Sequence, residues 1–156
     1  MNWHEYFLNM ADFVATKSKD RSTQVGAVVV GPDNEIRATG YNGFPRSVND
    51  SDNGDKEERH IRPEKYYWAE HAERNAIYAA ARIGVSLKGC TMYVQWRPAL
   101  CADCARAVIQ AGITTVIGRD IPFPGKGDVW ADSCRAGREM LTEAGVNLLL
   151  VETGDE

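Results

Sequence analysis

Apolar side chains recur near the start of the chain at helical spacing, at Trp3, Tyr6, Phe7, Met10, Phe13 and Val14. This stripe predicts an N-terminal helix packed on a sheet. Residues 25–30 and 35–41 are short runs of strand-forming residues joined by Gly31, Pro32, Asp33 and Asn34, which predicts two antiparallel strands and a turn. Residues 44–62 are rich in Asp, Asn, Glu and Arg without apolar periodicity, and read as a long loop of the kind that serves as a lid, binding loop or subunit contact. Helix resumes by residue 70 and runs to 82, with Ala72, Ala76 and Ala80 on one close-packing face. A strand over 90–95, a helix over 104–110 stopped by Gly112 and a strand over 114–118 follow. A helix near 131–144 and a strand over 146–151 complete a β-α-β unit, whose two strands should run parallel. The elements add up to an α/β chain, a three-layer α/β/α domain on a five-stranded mixed sheet.

Composition changes this picture little. The 156 residues, 44% hydrophobic and 26% charged, suit one globular domain spanning residues 1–156. No run approaches the roughly 20 apolar residues of a membrane span, and the start of the chain lacks the basic-then-apolar layout of a signal peptide. A cytoplasmic protein without a membrane partner is expected. A net charge of -4 argues against a protein that coats nucleic acid. It still allows a small anionic substrate, since Lys19, Arg21, Arg46, Arg59, Arg62 and Lys65 can offer donors to one phosphate.

The candidate chemistry lies in His71, Glu73, Cys101 and Cys104. Cys101 and Cys104 have the i, i+3 spacing that lets the first turn of a helix aim two sulfurs at one tetrahedral ion, and His71 adds a nitrogen. Three protein ligands leave a fourth position for water, the pattern of a catalytic zinc rather than a closed structural one. Glu73 is close enough in sequence to exchange a proton with that water without binding the metal. On an ideal helix His71 and Glu73 point roughly 200° apart, so they must sit at a helix end, with the metal above it. Cys90 and Cys134 have no ligand partner at short spacing and read as small buried side chains, and the thiols as reduced. His4 and His60 read as surface residues.

A His-x-Glu followed by a Cys-x-x-Cys with a nearby proline is the signature of zinc-dependent base deaminases. Further words narrow the resemblance: residues 18–20 leading into Val25, Gly26 and Ala27; Gly40, Tyr41, Asn42, Gly43 and Pro45; HAERNAI at 71–77; GCTMYV at 89–94; CADCAR at 101–106; and Ala111, Gly112 and Ile113. On these the chain resembles the deoxycytidylate (dCMP) deaminase family of the zinc-dependent cytidine deaminase superfamily. The resemblance implies the cytidine deaminase fold with strand order 2-1-3-4-5, a bound Zn2+, and hydrolysis of dCMP to dUMP with release of ammonia. It also implies a nucleotide substrate touching Asn42 and Ala72, and a homo-oligomer, commonly hexameric, often responsive to dCTP and dTTP. Asn42 has a plainer reading as a turn residue. Trp130, with Asp132, resembles a tryptophan of some relatives and either borders the pocket or fills a gap. No second metal site is expected, because no cysteine precedes Cys90.

One departure bears on substrate choice. Family members place proline directly before the first cysteine, whereas Ala99 and Leu100 separate Pro98 from Cys101. In related deaminases a backbone carbonyl of this loop accepts a hydrogen bond from the departing amino group, so a loop two residues longer predicts an altered pocket. Arg97 is a candidate new contact, its planar fork suited to a carbonyl or phosphate. Two rival readings follow: a deaminase of another base, nucleoside or nucleotide, and an inactive nucleotide-binding regulator, which the intact Glu73 disfavours. A tRNA-editing deaminase is disfavoured by charge and by the Gly-Tyr-Asn-Gly stretch.

Overall fold

A computed structural model describes residues 1–51, 53–124 and 130–153. The sheet contains β1 (Gly26–Val30), β2 (Ile36–Tyr41), β3 (Thr91–Val94), β4 (Thr115–Arg119) and β5 (Asn147–Val151), in the order β2-β1-β3-β4-β5. β1 runs antiparallel to β2 and β3, while β3, β4 and β5 are parallel. The expected strand order and both expected pairings are observed.

Alternation along the strands divides the core in two. Ala27, Val29, Met92, Val94 and Val116 face one side, where they pack with α3 (Ala72–Ile83), α4 (Ala102–Ala111) and α5 (Ala131–Glu143). Val28, Val30, Tyr93 and Ile117 face the other, against Phe7, Leu8 and Ala11 of α1 (Trp3–Ala15). The three layers expected from the sequence are present.

Helix α1 begins in a reciprocal cap: the Glu5 N–H donates to Asn2 Oδ1 at 2.9 Å, and the Asn2 N–H donates to Glu5 Oε2 at 3.1 Å. Its buried face matches the expected stripe only in part, through Phe7 with Met10 and Val14 packed beside it. Phe7, Leu8, Ala11 and Ala15 are buried, while Trp3, Tyr6 and Phe13 are exposed, Phe13 at 77%. The cause is backbone proximity. A Cβ on Gly26 would collide with the Ala11 carbonyl, so the helix rests on β1 through Ala11 and Ala15, with Phe7 buried beside them and Trp3, Tyr6 and Phe13 turned outward.

The same device seats α3. A Cβ on Gly40 of β2 would collide with backbone atoms of Ala72 and Ala76, which accounts for the small-residue face Ala72, Ala76 and Ala80. α3 stops at Gly84 and α4 at Gly112, both in the left-handed conformation that glycine tolerates.

The segment expected to be an irregular loop over 44–62 contains a 3-10 turn, Glu57–His60, and leads to the one-turn helix α2 (Lys65–Trp68). Aromatic contacts organise it. Phe44 stacks on His60 with centroids 4.8 Å apart, and the Arg59 guanidinium lies 3.9 Å from the Trp68 ring centroid. His60, expected at the surface, is half-buried, and its Nε2 lies 3.1 Å and 3.0 Å from the carbonyl oxygens of Asp50 and Ser51. His4 is exposed as expected. Among the described residues no helix is long and apolar enough to cross a membrane.

Candidate active site

The N-terminal ends of α3 and α4 meet at one point. His71 is the N-cap of α3, with extended backbone (φ -75°, ψ 149°), and Glu73 lies in the first turn. Cys101 is the N-cap of α4, and Cys104 lies one turn on. His71 Nδ1 sits 3.4 Å from Cys101 Sγ and 3.3 Å from Cys104 Sγ, and the three ligand atoms all fall within 4.8 Å of one another. Tetrahedral zinc, with bonds near 2.0 Å to nitrogen and 2.3 Å to sulfur, needs ligand atoms about 3.6 Å apart. Two thiolates and an imidazole also match its borderline-soft character, so the residues present fit the ion. The expected helix-end placement of the His-x-Glu pair is observed.

Hydrogen bonding and burial shift these groups in opposite directions. Cys101 is drawn down to about 4, chiefly by the hydrogen bond from Cys104, with His71 adding to it against burial. Cys104 is pushed up by that same bond and by burial. The bond to Cys101 raises His71, while burial opposes the shift and the Glu73 carboxylate supports it. Cys104 Sγ donates to Glu73 Oε2 at 3.7 Å, so the carboxylate adjoins the three ligand atoms without belonging to the set. Burial pushes Glu73 above the ordinary glutamate range despite the nearby His71.

Sequence reasoning missed Arg74. It joins the two helix ends through Glu70 at 2.6 Å and Asp103 at 3.3 Å. Burial disfavours its charge, but Cys104 and then Glu70 hold its pKa above the usual arginine value. The i, i+4 spacing of Glu70 and Arg74 was the available signal. Tyr66 of α2 was also missed, and it carried no signal. Its ring meets Trp130 edge-on at 5.5 Å, and Trp130 in turn meets His71 edge-on at 5.6 Å. Trp130 therefore borders the site.

The Gly-Tyr-Asn-Gly stretch is sewn to the start of α3. Glu70 N–H donates to the Gly43 carbonyl at 2.7 Å, the reverse bond is 3.1 Å, and Asn75 Nδ2 donates to the Tyr41 carbonyl at 2.8 Å. Asn42 braces the preceding loop: its Oδ1 accepts from Val25 N–H at 2.8 Å, and its Nδ2 donates to the Thr23 carbonyl at 3.0 Å. Beside it opens a pocket of about 290 Å³ lined in part by Lys19, Arg21, Asn42, Phe44, His60 and Lys65.

The structure thus brings His71, Ala72, Glu73, Cys101 and Cys104 together, and groups Lys19, Arg21 and Asn42 around the neighbouring pocket. Lys19 pairs with Asp50 at 3.1 Å and Arg21 with Glu57 at 2.8 Å. Arg97 lies elsewhere, half-exposed and bound to Asp120 at 2.7 Å. Cys90 is buried and Cys134 half-buried, and neither joins the ligand cluster.

Comparison with known proteins agrees with this geometry. The profile of the cytidine and deoxycytidylate deaminase zinc-binding region matches residues 1–118. An uncharacterized deaminase from the luxG 3' region of Aliivibrio fischeri is 38% identical over 148 residues, covering 94% of this chain and 91% of that protein. Human deoxycytidylate deaminase is 36% identical over 147 residues, covering 94% of this chain and 78% of its own length. The crystal structure of the dCMP deaminase of cyanophage S-TIM5, in apo form, matches with a TM-score of 0.69 at 24% identity, over 95% of this chain and 96% of that one, which shows a shared fold. With the profile spanning most of the chain and a His71, Cys101 and Cys104 cluster that could hold a metal ion gathered at two helix ends, the chain belongs to the cytidine and deoxycytidylate deaminase family.

Proposed function

We propose that this protein is a zinc-dependent hydrolase that converts dCMP and water to dUMP and ammonia. The observation that carries the reading is the His71, Cys101 and Cys104 cluster with the Glu73 carboxylate beside it and outside the ligand set. The relatives named deoxycytidylate deaminase supply the substrate.

Zinc held by His71, Cys101 and Cys104 supplies Lewis acidity that brings the pKa of a water toward neutrality. Glu73 moves the protons. It takes one from the attacking water, delivers it to the ring nitrogen, and serves again as the amino group leaves as ammonia. A buried carboxyl with a raised pKa suits both halves of that task, because it can hold the proton between steps.

Ala72 is the first residue of α3, and its backbone N–H at the positive end of that helix suits a carbonyl of the base. Lys19 and Arg21 are assigned to the phosphate, which would compete with Asp50 and Glu57 for them. Asn42 holds the wall against which the sugar rests. Arg97 reaches substrate only if its pair with Asp120 opens.

A homo-oligomer, with the hexamer as its form, is part of the proposal. Phe13, Tyr78, Ile83, Leu149 and Leu150 are exposed on the single chain, and burying them between copies would remove apolar surface from water. Sedimentation would test it, a monomer at micromolar concentration counting against it. The free cysteines suit the reducing cytoplasm, where we place the reaction.

The deciding experiment is ammonia release by the zinc-loaded protein across cytosine, adenine and guanine bases, nucleosides and nucleotides. dCMP should give the highest kcat/KM. A purine, a free base or deoxycytidine handled better than dCMP would replace this reading.

A further inference from the structure

The loop entering the metal site is held from behind by α5. Of the two residues that lengthen it, Leu100 is buried, and Ala99 is exposed with its carbonyl held. The Leu100 side chain is 4% exposed and belongs to the main core, and Cys134 Sγ donates to the Ala99 carbonyl at 3.4 Å. The next peptide is held too, since the Ala102 N–H donates to Ser133 Oγ at 2.8 Å. That N–H is one of the unpaired donors at the start of α4. Cys101 occupies the N-cap there, and its sulfur accepts from the Cys104 N–H at 3.4 Å. With that sulfur assigned to the metal, the hydroxyl from α5 adds an acceptor that does not compete with the ion.

Glycines let the flanking elements close on this loop. Gly137 is buried in the interior of α5, and a Cβ there would collide with the Leu100 carbonyl oxygen and lie 3.2 Å from the carbonyl carbon and oxygen of Cys101. Glycine weakens a helix interior relative to alanine, so its place here is explained by close approach. On the other side, a Cβ on Gly118 of β4 would collide with the Trp96 carbonyl and lie 3.2 Å from Pro98 Cδ. α5 also starts at Trp130, whose ring touches His71. One helix therefore bears on both arms of the metal site.

We infer that Ser133, Cys134 and Gly137 of α5 are positioning residues for Cys101 and the carbonyls before it. The expected effect on turnover rests on the deaminase reading, while the placement of Cys101 does not. A carbonyl or ligand moved by a few tenths of an ångström alters metal geometry and the alignment of the reacting carbon, and such shifts act on turnover more than on binding.

The test compares Gly137→Ala, Ser133→Ala, Cys134→Ala and Cys134→Ser with Arg138→Ala, which changes the exposed face of the same helix. Three properties are read: the thiolate-to-metal absorption bands of the cobalt-substituted protein, zinc retention against a chromogenic chelator, and kcat and KM for dCMP. Gly137→Ala should shift the cobalt bands and weaken zinc roughly 10- to 100-fold. It should lower kcat on the order of a hundredfold with little change in KM. Cys134→Ala should lower kcat and Cys134→Ser, which keeps a donor for the Ala99 carbonyl, should restore it. Arg138→Ala should leave all three properties alone. If Gly137→Ala fails to fold, Ser133→Ala and Cys134→Ala decide, since each removes one hydrogen bond without adding volume. Unchanged cobalt bands, zinc affinity and kcat in those variants, with only melting temperature lowered, would reduce α5 to a packing element. Should the parent release no ammonia from dCMP, the reaction proposed above fails, while the cobalt and chelator readings still judge the clamp.

Discussion

A carboxylate can work on a metal-held water only if it stands beside the ion and is not consumed as a ligand. Glu73 meets that condition, 3.7 Å from one ligand sulfur and outside the ligand cluster. Glu73→Gln keeps the shape and removes the proton, so zinc content and fold should persist while kcat falls by about 10³-fold. Turnover near the parent's rate would require another proton carrier. The metal itself separates the cysteines: Cys104→Ser should lose zinc on purification, whereas Cys90→Ser, on a side chain outside the ligand set, should retain it by metal analysis. The ligand set was legible in the sequence because local spacing and helix geometry determine it. Arg74's bridge to Asp103 and the contact of Trp130 with His71 were not, because each depends on how two distant segments dock.

At the scale of elements, much of what shapes the site is carried by short contacts between segments. Lys65 of α2 is buried, and its Nζ lies 3.2 Å from Asp20 Oδ2, tying the loop that bears Lys19 and Arg21 to the helix that bears Tyr66. Burial pushes the Asp20 carboxyl up, but N–H bonds from Thr23 and Ser22 and the charge of Lys65 outweigh it, so its pKa lies below the ordinary aspartate range. A depressed folded-state pKa contributes stability above the unfolded value, and that contribution is lost as pH falls through the folded value. Lys65→Met, which leaves the carboxylate without its cation, should cost about 3 kcal/mol near neutral pH. The stability gap between the parent and Asp20→Asn should be constant from pH 7 to 5 and shrink below about pH 4. A gap that held to pH 2 in urea titrations would remove Asp20 from the account. The periodicities placed every strand and long helix, and on α1 they held for Phe7, Met10 and Val14 but erred for Trp3, Tyr6 and Phe13, which are exposed. That error is physical: the collision of a Gly26 side chain with Ala11 is a relation between segments that no one-helix pattern contains. The order within 44–69 escaped for the same reason, since Phe44 and His60, or Arg59 and Trp68, reveal nothing until they stack.

For the whole molecule, the His71, Cys101 and Cys104 cluster is a junction as well as the candidate reaction centre. Its ligands lie at the starts of α3 and α4, which pack on the sheet and share one core cluster with α5. Sequence patterns gave the layers, whereas the strand order came from family resemblance, since periodicity carries no information about which strands adjoin. An ion that binds the folded chain and not the unfolded one adds RT ln(1 + [Zn]/Kd) to stability, about 4 kcal/mol when zinc exceeds its dissociation constant a thousandfold. For a chain of this size that corresponds to roughly 10 °C in melting temperature. Chelation should therefore lower the melting temperature by about that much, and zinc should restore it, with Cys104→Ser melting near the chelated parent whether zinc is added or not. The dependence on pH has a definite sign. Metal ligands must be deprotonated, so zinc binding competes with protons, and the zinc-dependent part of the stability should shrink as pH falls. Calorimetry of the loaded and chelated protein between pH 8 and 6 checks both statements, and equal melting temperatures at pH 8 would show that His71, Cys101 and Cys104 do not hold the ion tightly enough to couple it to the fold.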